Sequence, residues 1–417
     1  MLYDHWREIV REYRSEIALR DLGARQQWTF AELDSLAESG TPERVVFPQG
    51  SDVEFIVSVL KGWRSGAIVC PLEPGQPRPE FPLPDEDIVH LKTTSATTGP
   101  ARLVALTADQ LAADARSIIE TMGLRRERPN LGVISLAHSY GFSNLVTPLL
   151  LNGIPLYVAS SALPETVRKT LEEMGAATLP SVPALWRAWF EAGALDSKHV
   201  RLAISAGAPL PLQLETEVFD RCGIKIHNFY GSTECGGIAY DASEKPRTDS
   251  SCIGLPMRNV KLAIAADCCL EVHSQAVAET YWPEAEERLS NGRFHTSDIA
   301  EIVDQRVYLR GRASDIINVA GRKIAPESIE NVLAKYSRVR QCVVFGIPEG
   351  ERERIVACAS VERGTSADDL KQFLLAHLPG WQVPRDFWLI EDLSPDQRGK
   401  LSRALWRTKY LERHKPS

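Results

Sequence analysis

The chain has 417 residues, 44% of them apolar and 25% charged, which is soluble globular material long enough for two or three domains. Its 48 basic and 55 acidic residues leave a net charge of −7, so the total argues against a nucleic-acid partner or an anionic membrane. No apolar run reaches a membrane span, and the start MLYDHWREIVREYR lacks the apolar core of a signal peptide; a cytoplasmic monomer or homodimer is expected. The 8 cysteines are scattered, with no CxxC pair and no histidine at zinc spacing, and so read as reduced packing residues.

In chain order, the first clear signal is QWTFAELDSLAE, where Thr29 and Glu32 form a capping box and predict a helix start. An apolar helix is expected over Val53–Leu60 and a buried strand over Gly66–Leu72. The proline-rich stretch Glu73–Asp87 can build neither helix interior nor central strand, so it reads as a surface connection. From Asp87 an extended run enters the loop Thr93–Gly99 and leaves as ARLVALT, so the loop joins two strands. Thr107 and Gln110 then cap a helix lined by Leu111, Ala115, Ile118 and Met122.

Between Leu131 and Tyr230, apolar strands (Leu131–Leu136, Ile154–Ala159, Val200–Ser205, Ile224–Tyr230) alternate with amphipathic helices. That alternation predicts an α/β fold with a mainly parallel, doubly wound sheet covered on both faces. Residues 251–313 change to short strands with turn residues, as in a small β-barrel-like subdomain. GRASDIINVAGRKIAPESIE then reads as an articulated joint: glycines at Gly311 and Gly321 bracket a short apolar run, and Pro326 opens a helix over 326–337. Past it, strands at Gln341–Gly346 and Ile355–Val361 and a helix over 366–378 make a small α+β unit. The expected division is 1–313 and 314–417.

The loop Thr93–Gly99 packs five hydroxyls into seven residues, and hydroxyl and backbone N–H donors bind phosphate oxygens without steric bulk. It is not a Walker A loop, since GxxxxGK[ST] is absent. Taken alone, such a loop is usually only solvated.

Five stretches, in order, carry a resemblance. TTSATTGPARLV, SAGAPL, NFYGSTE, FHTSDIAEI with the joint segment, and SPDQRGKLSR resemble the motifs of the adenylate-forming superfamily of acyl- and aryl-CoA synthetases, nonribosomal adenylation domains and luciferases. The likeness also reaches WTFAELDSLA and KGWRSGAIVCPLEP, so it spans nearly the whole chain. It implies an AMP-forming ligase whose large N-terminal domain and small mobile C-terminal domain activate a carboxylic acid with ATP and Mg2+.

By position, the resemblance implies that Thr94, Ser95, Thr97, Thr98, Gly99 and Arg102 meet ATP phosphates, with Gly207, Ala208 and Pro209 as the adenine wall. Tyr230 would pack on the base, beside Gly231 and Ser232. Thr233 would bind the α-phosphate, and Glu234 the magnesium ion, a hard cation suited to one carboxylate plus phosphate oxygens. Asp298 would accept the ribose hydroxyls, Arg312 would reach the ribose and phosphates, and Lys400 would bridge the attacking carboxylate and α-phosphate. The ordinary alternatives are a helix-start carboxylate, a turn aspartate and two surface cations.

The acid is expected to lie between His138, Phe142, Val182, Leu185, Ala206, Gly207 and Cys235, with Gly236 and Gly237 leaving room for an aryl or medium acyl group. His138 could equally be a buried histidine satisfying a backbone group. Rotation about Ser314 would then bring Ala320, Gly321 and Arg322 to the site for transfer to coenzyme A. A carrier-protein phosphopantetheine or an amine is the alternative acceptor, and a non-catalytic nucleotide binder the alternative function. The chain departs from the family pattern at Ala96, Ala101, Arg102 and Ser314, and the segment Gly66–Thr94 is shorter than the family's.

Overall fold

The computed structural model describes residues 2–40, 42–84, 87–94, 102–350, 352–393 and 401–414. Ser95, Ala96, Thr97, Thr98, Gly99, Ala101 and Lys400 lie outside the described residues.

The helix signals hold at the level of single hydrogen bonds. Thr29 caps the helix Phe30–Glu38, and Thr107 caps Ala108–Met122, each with its N3 residue returning a bond to the cap backbone. Asp52 caps the longer helix Val53–Ser65. The strand expected over Gly66–Leu72 is reduced to Ile68–Val69, because Gly66 still closes the preceding helix in the left-handed region and Pro71 has no N–H for a ladder.

A parallel run of strands forms the centre: Ile226–Ser232, Val200–Ser205, Ala177–Ser181, Asn130–Gly132, Leu156–Val158 and Ile17–Asp21, in that spatial order. Ala177–Ser181 escaped the pattern reading because its ATLPS is short, mixes apolar residues with the buried hydroxyls of Thr178 and Ser181, and has a proline inside. The short strands of 251–313 join the same hydrogen-bonded path as its antiparallel end, edge-on through Gly236–Tyr240. A second sheet carries Val45–Val46, Ile68–Val69, Ile88–Thr93 and Leu103–Thr107, the last closed by Thr280–Trp282. The loop expected to join two strands therefore links an antiparallel pair, Ile88–Thr93 and Leu103–Thr107.

Beyond Arg312, the hairpin Ile317–Val319/Arg322–Ile324 precedes the helix Pro326–Leu333. That helix stops short of 337, since Lys335 and Tyr336 donate to Val332 and Leu333 in a tightened last turn. The strands Val339–Glu349, Arg352–Val361 and Asp386–Ile390 form a small sheet. Pro326–Leu333 and Ala367–Leu375 share a core with it through Ile329, Leu333, Leu370 and Leu374. A separate cluster holds Trp406 and Tyr410 of the C-terminal helix Arg403–Arg413. No helix among the described residues is long and apolar enough to cross a membrane.

Candidate active site

The strand Ile226–Ser232 delivers Tyr230 at the carboxyl end of the parallel run, where ligands of such sheets collect. Tyr230 donates its hydroxyl to Asp298 Oδ2, and Arg312 Nε lies 2.9 Å from Asp298 Oδ1. Asp298 and Arg312 are register partners in the antiparallel pair Arg293–Val303/Arg306–Arg312, which explains how residues 14 apart meet. Burial pushes the Tyr230 hydroxyl well above its ordinary range, with the Asp298 charge adding to it, so Tyr230 stays a neutral donor. Asp298 in turn holds Arg312 firmly protonated. Each carboxylate oxygen of Asp298 has a second lone pair, so both can still accept from a diol.

The turn after this strand carries Thr233 and Glu234. Glu234 Oε1 accepts from Tyr281 at 3.0 Å, while its backbone N–H is capped by Ser232 Oγ at 3.2 Å and its carbonyl accepts from Ala278. Burial pushes the Tyr281 hydroxyl upward, and the Glu234 carboxylate adds to the shift. The Arg288 guanidinium sits 5.2 Å from the centre of the Tyr281 ring and Arg102 5.7 Å from it. A half-buried carboxylate, oriented by a hydroxyl whose ring lies beside two guanidiniums, fits a hard divalent ion shared with phosphate oxygens. Tyr281 and Arg288 were invisible in the sequence. Tyr281 lies 47 residues downstream of Glu234 among the short strands of 251–313, and nothing short of the fold pairs it with that carboxylate.

Arg102 forms an ion pair with Glu286, which also binds Arg288 at 2.8 Å. Thr94 accepts from Arg102 N–H at 3.2 Å and its own N–H donates to the Arg102 carbonyl at 2.8 Å. These bonds clasp the two ends of the hydroxyl-rich loop, so Thr94 spends its hydroxyl at the neck of the loop.

Gly207 adopts φ +84°, a conformation that disfavours any side chain, and a Cβ there would touch Val182 at 3.5 Å. Gly207, Ala208 and Val182 are half-buried neighbours, while Pro209 is exposed. His138 caps the short helix Ser139–Gly141, its Nδ1 accepting from Tyr140 N–H at 3.3 Å. Phe142 is fully buried in a π-helical turn against the His90 ring, centroids 4.4 Å apart, and so is a core residue. Ala206 is buried too, and Leu185 packs on a different cluster, around Trp186.

The two glycines after Cys235 do not leave the space expected of them. A Cβ on Gly236 would fall 2.1 Å from Asp114 Oδ1, and one on Gly237 would fall 2.7 Å from Met257 Sδ. The room they make is filled by protein. Cys235 itself is buried, and burial drives its thiol upward, against nucleophilic use.

What fills the place beside Gly236 is a buried polar relay. Lys92 Nζ donates to Ser143 Oγ at 3.3 Å, Ser143 donates to Asp114 Oδ2 at 2.6 Å, and Asp114 Oδ1 accepts Gly237 N–H at 3.0 Å. Burial depresses Lys92 against the opposing pull of Asp114. The relay fixes the hairpin that carries Thr233 and Glu234. Alternation could have flagged Lys92, which shares a face of the strand Ile88–Thr93 with Ile88 and His90.

At the joint, Ser314 sits exposed in the turn Ala313–Asp315 and donates to Asp315 at 3.1 Å. Ala320 (φ +52°) and Gly321 (φ +85°) form the exposed tip of the following hairpin, with Arg322 stacked 5.3 Å over Trp381. Arg403, three residues beyond Lys400, reaches back to the joint. It pairs with Asp315, meets Glu327 at 2.9 Å and Glu330 at 3.0 Å, and donates to the Val344 carbonyl at 2.8 Å. Sequence reading treated Arg403 only as the end of a motif.

Comparison with known proteins points the same way. Residues 60–279 match the AMP-binding enzyme family and 328–400 its C-terminal domain. Feruloyl-CoA synthase of Amycolatopsis sp is 25% identical over 405 residues, covering 91% of this chain and 81% of that protein. ATP-bound MatB from Rhodopseudomonas palustris superposes with a TM-score of 0.85 at 19% identity, covering both chains fully (100%). The amide bond synthetase McbA from Marinactinospora thermotolerans gives 0.84 at 18% identity, over 98% of this chain and 100% of that one.

Proposed function

The chain belongs to the AMP-binding enzyme family, and from that premise we propose that it is an ATP-dependent ligase joining an aryl or medium-chain carboxylic acid to coenzyme A through an acyl-adenylate. The observation that carries the reading is the convergence of Tyr230, Asp298 and Arg312 beside the Thr233–Glu234 turn at one strand end.

In the first half-reaction a carboxylate oxygen of the acid attacks the α-phosphorus of ATP and pyrophosphate leaves. Asp298 accepts the ribose hydroxyls, Arg312 neutralises nearby phosphate charge, and Thr233 donates to the α-phosphate. A magnesium ion held by Glu234, with Tyr281 orienting that carboxylate, would supply charge neutralisation on the phosphates. Lys400 carries the cation that holds the two anions together, and the Arg403 anchor gives its segment a fixed downstream end.

In the second half-reaction, rotation about Ser314 at the boundary between 1–313 and 314–417 presents the hairpin tip at Ala320, Gly321 and Arg322. The thiolate attacks the adenylate carbonyl carbon, the mixed anhydride breaks, and AMP leaves with the electron pair. Using one site twice by moving one domain suits two transition states of different geometry. The exposure of that tip and its two positive φ values support the assignment.

The test is incubation with ATP, Mg2+ and pooled aryl and acyl acids, with and without Lys400→Ala. Acid-dependent pyrophosphate release and a bound adenylate identified by mass are expected from the parent only. No release with any acid, together with ATP binding, would leave a nucleotide-binding protein instead.

A further inference from the structure

We propose that Asp267, Cys269 and His295 form a binding site for a borderline-soft divalent cation of the zinc type, separate from the magnesium site at Glu234. The proposal stands on local geometry and does not rest on the ligase reading.

The three residues are brought together by sheet register. Asp267 occupies the turn between the strands Lys261–Ile264 and Cys269–His273, and the latter pairs antiparallel with Arg293–Val303. Glu271 lies opposite His295 and Cys269 opposite Ile299, so Cys269 and His295 end on neighbouring positions 26 residues apart in sequence. That distance is why the spacing of cysteines and histidines in the sequence signalled no zinc site. One oxygen of Asp267, Cys269 Sγ and one ring nitrogen of His295 all lie within 4.8 Å of one another. A tetrahedral zinc ion with Zn–S about 2.3 Å and Zn–N or Zn–O about 2.0 Å separates its ligands by roughly 3.3–3.5 Å, so closure needs side-chain shifts of about 1 Å.

The surroundings have the features of a metal centre. His295 Nε2 faces Asp267 Oδ2 at 3.0 Å, and its other nitrogen, Nδ1, faces Glu271 Oε2 at 3.9 Å. A carboxylate behind a ligating histidine fixes its tautomer and raises its basicity. Glu271 is itself held by Arg293 at 2.6 Å and His273 at 2.7 Å. Asp267 is additionally fixed by accepting the Cys269 N–H at 3.1 Å. Cys269 is buried and His295 half-buried, while Asp267 is exposed, so an ion has a path in and a fourth position open to water. One thiolate and one carboxylate around a neutral imidazole carry two negative charges, balanced by a divalent ion. The sulfur ligand favours zinc, cobalt or copper over magnesium.

Zinc binds the thiolate form of cysteine, so binding expels the Cys269 thiol proton.

The test uses the full-length protein, reduced and freed of metal by chelator dialysis, titrated with Co2+ and then Zn2+ in excess Mg2+. The expected result is one equivalent bound, with a thiolate-to-cobalt charge-transfer band that Mg2+ leaves unchanged and Zn2+ abolishes. Cys269→Ser removes the band, His295→Gln weakens binding at least tenfold, and Cys268→Ser changes neither. Because Cys269 is buried, the half-buried His295→Gln serves if Cys269→Ser does not fold. Absence of the band in the parent protein overturns the proposal. So does a band that survives Cys269→Ser or disappears with Cys268→Ser, and so does unaltered affinity in His295→Gln.

Discussion

Lys92, Ser143 and Asp114 link the second sheet to Gly237 of the large one with no residue more than 4% exposed, whereas Arg403 meets Asp315, Glu327 and Glu330 through side chains that keep 19–28% of their surface. Both clusters hold a segment assigned to the chemistry, the first the Thr233–Glu234 hairpin and the second the end of the Lys400 stretch. The first sits where no water can replace a lost partner, and it belongs to a part of the molecule that has no reason to move. The second sits at the joint, where the Arg403 guanidinium offsets the burial that pushes the Glu330 carboxyl upward. One cluster thus braces the Thr233–Glu234 hairpin from the core, and the other ties the Arg403 segment to the joint.

The comparison breaks most visibly at Asp114. Asp114→Ala leaves the Lys92 charge and the Gly237 N–H without their partner in the core, so a loss of about 3–5 kcal/mol in urea unfolding is expected. Lys92→Met combined with Asp114→Asn should recover more than half of that loss. A drop below about 1 kcal/mol for the single change would show that the relay is not a rigid element.

Arg403→Ala should slow adenylate formation at least about tenfold, measured by pyrophosphate release, because positioning is lost, and should cost less stability than Asp114→Ala because the partner carboxylates keep 19–28% of their surface. Equal damage to stability and rate would erase the distinction between the two clusters. A smaller effect is expected at Tyr281→Phe. Removing one hydrogen bond to the Glu234 carboxylate, of about 1 kcal/mol, should raise the Mg2+ needed for half-maximal rate about fivefold. An unchanged Mg2+ requirement would separate Glu234 from the metal.

The smallest effect is a slope. Glu215, Lys225, Asp241 and Arg247 form another buried cluster, with Lys225 2.6 Å from Glu215 and 2.7 Å from Asp241. Arg247 also donates to the Leu210 carbonyl at 2.8 Å, steadying the SAGAPL turn. Burial alone would raise Asp241, but Lys225 and Ser243 outweigh it and hold it below the ordinary 3.8. A carboxyl depressed in the folded state contributes stability above its unfolded value and loses it as pH falls through the folded one. Stability should therefore decline below about pH 4, and Lys225→Met should flatten that decline in acid-unfolding curves.

What the chain announces by itself is local. Thr29 with Glu32, Thr107 with Gln110 and Ser366 with Asp369 cap helices through bonds spanning three residues, so the helix starts are written in adjacent letters. The alternation of apolar strands and amphipathic helices likewise declares a parallel sheet, and the five motifs declare the family. Tertiary structure decided everything that depends on register and close approach. It brought Tyr281 to Glu234 and Arg403 to Asp315, and it gave the space beside Gly236 to Asp114 rather than to a ligand. It also set Cys269 beside His295 across two antiparallel strands. Capping and periodicity act over one helical turn or one pleat, whereas a charge or a thiol finds its partner only once the sheet has fixed which strands lie side by side.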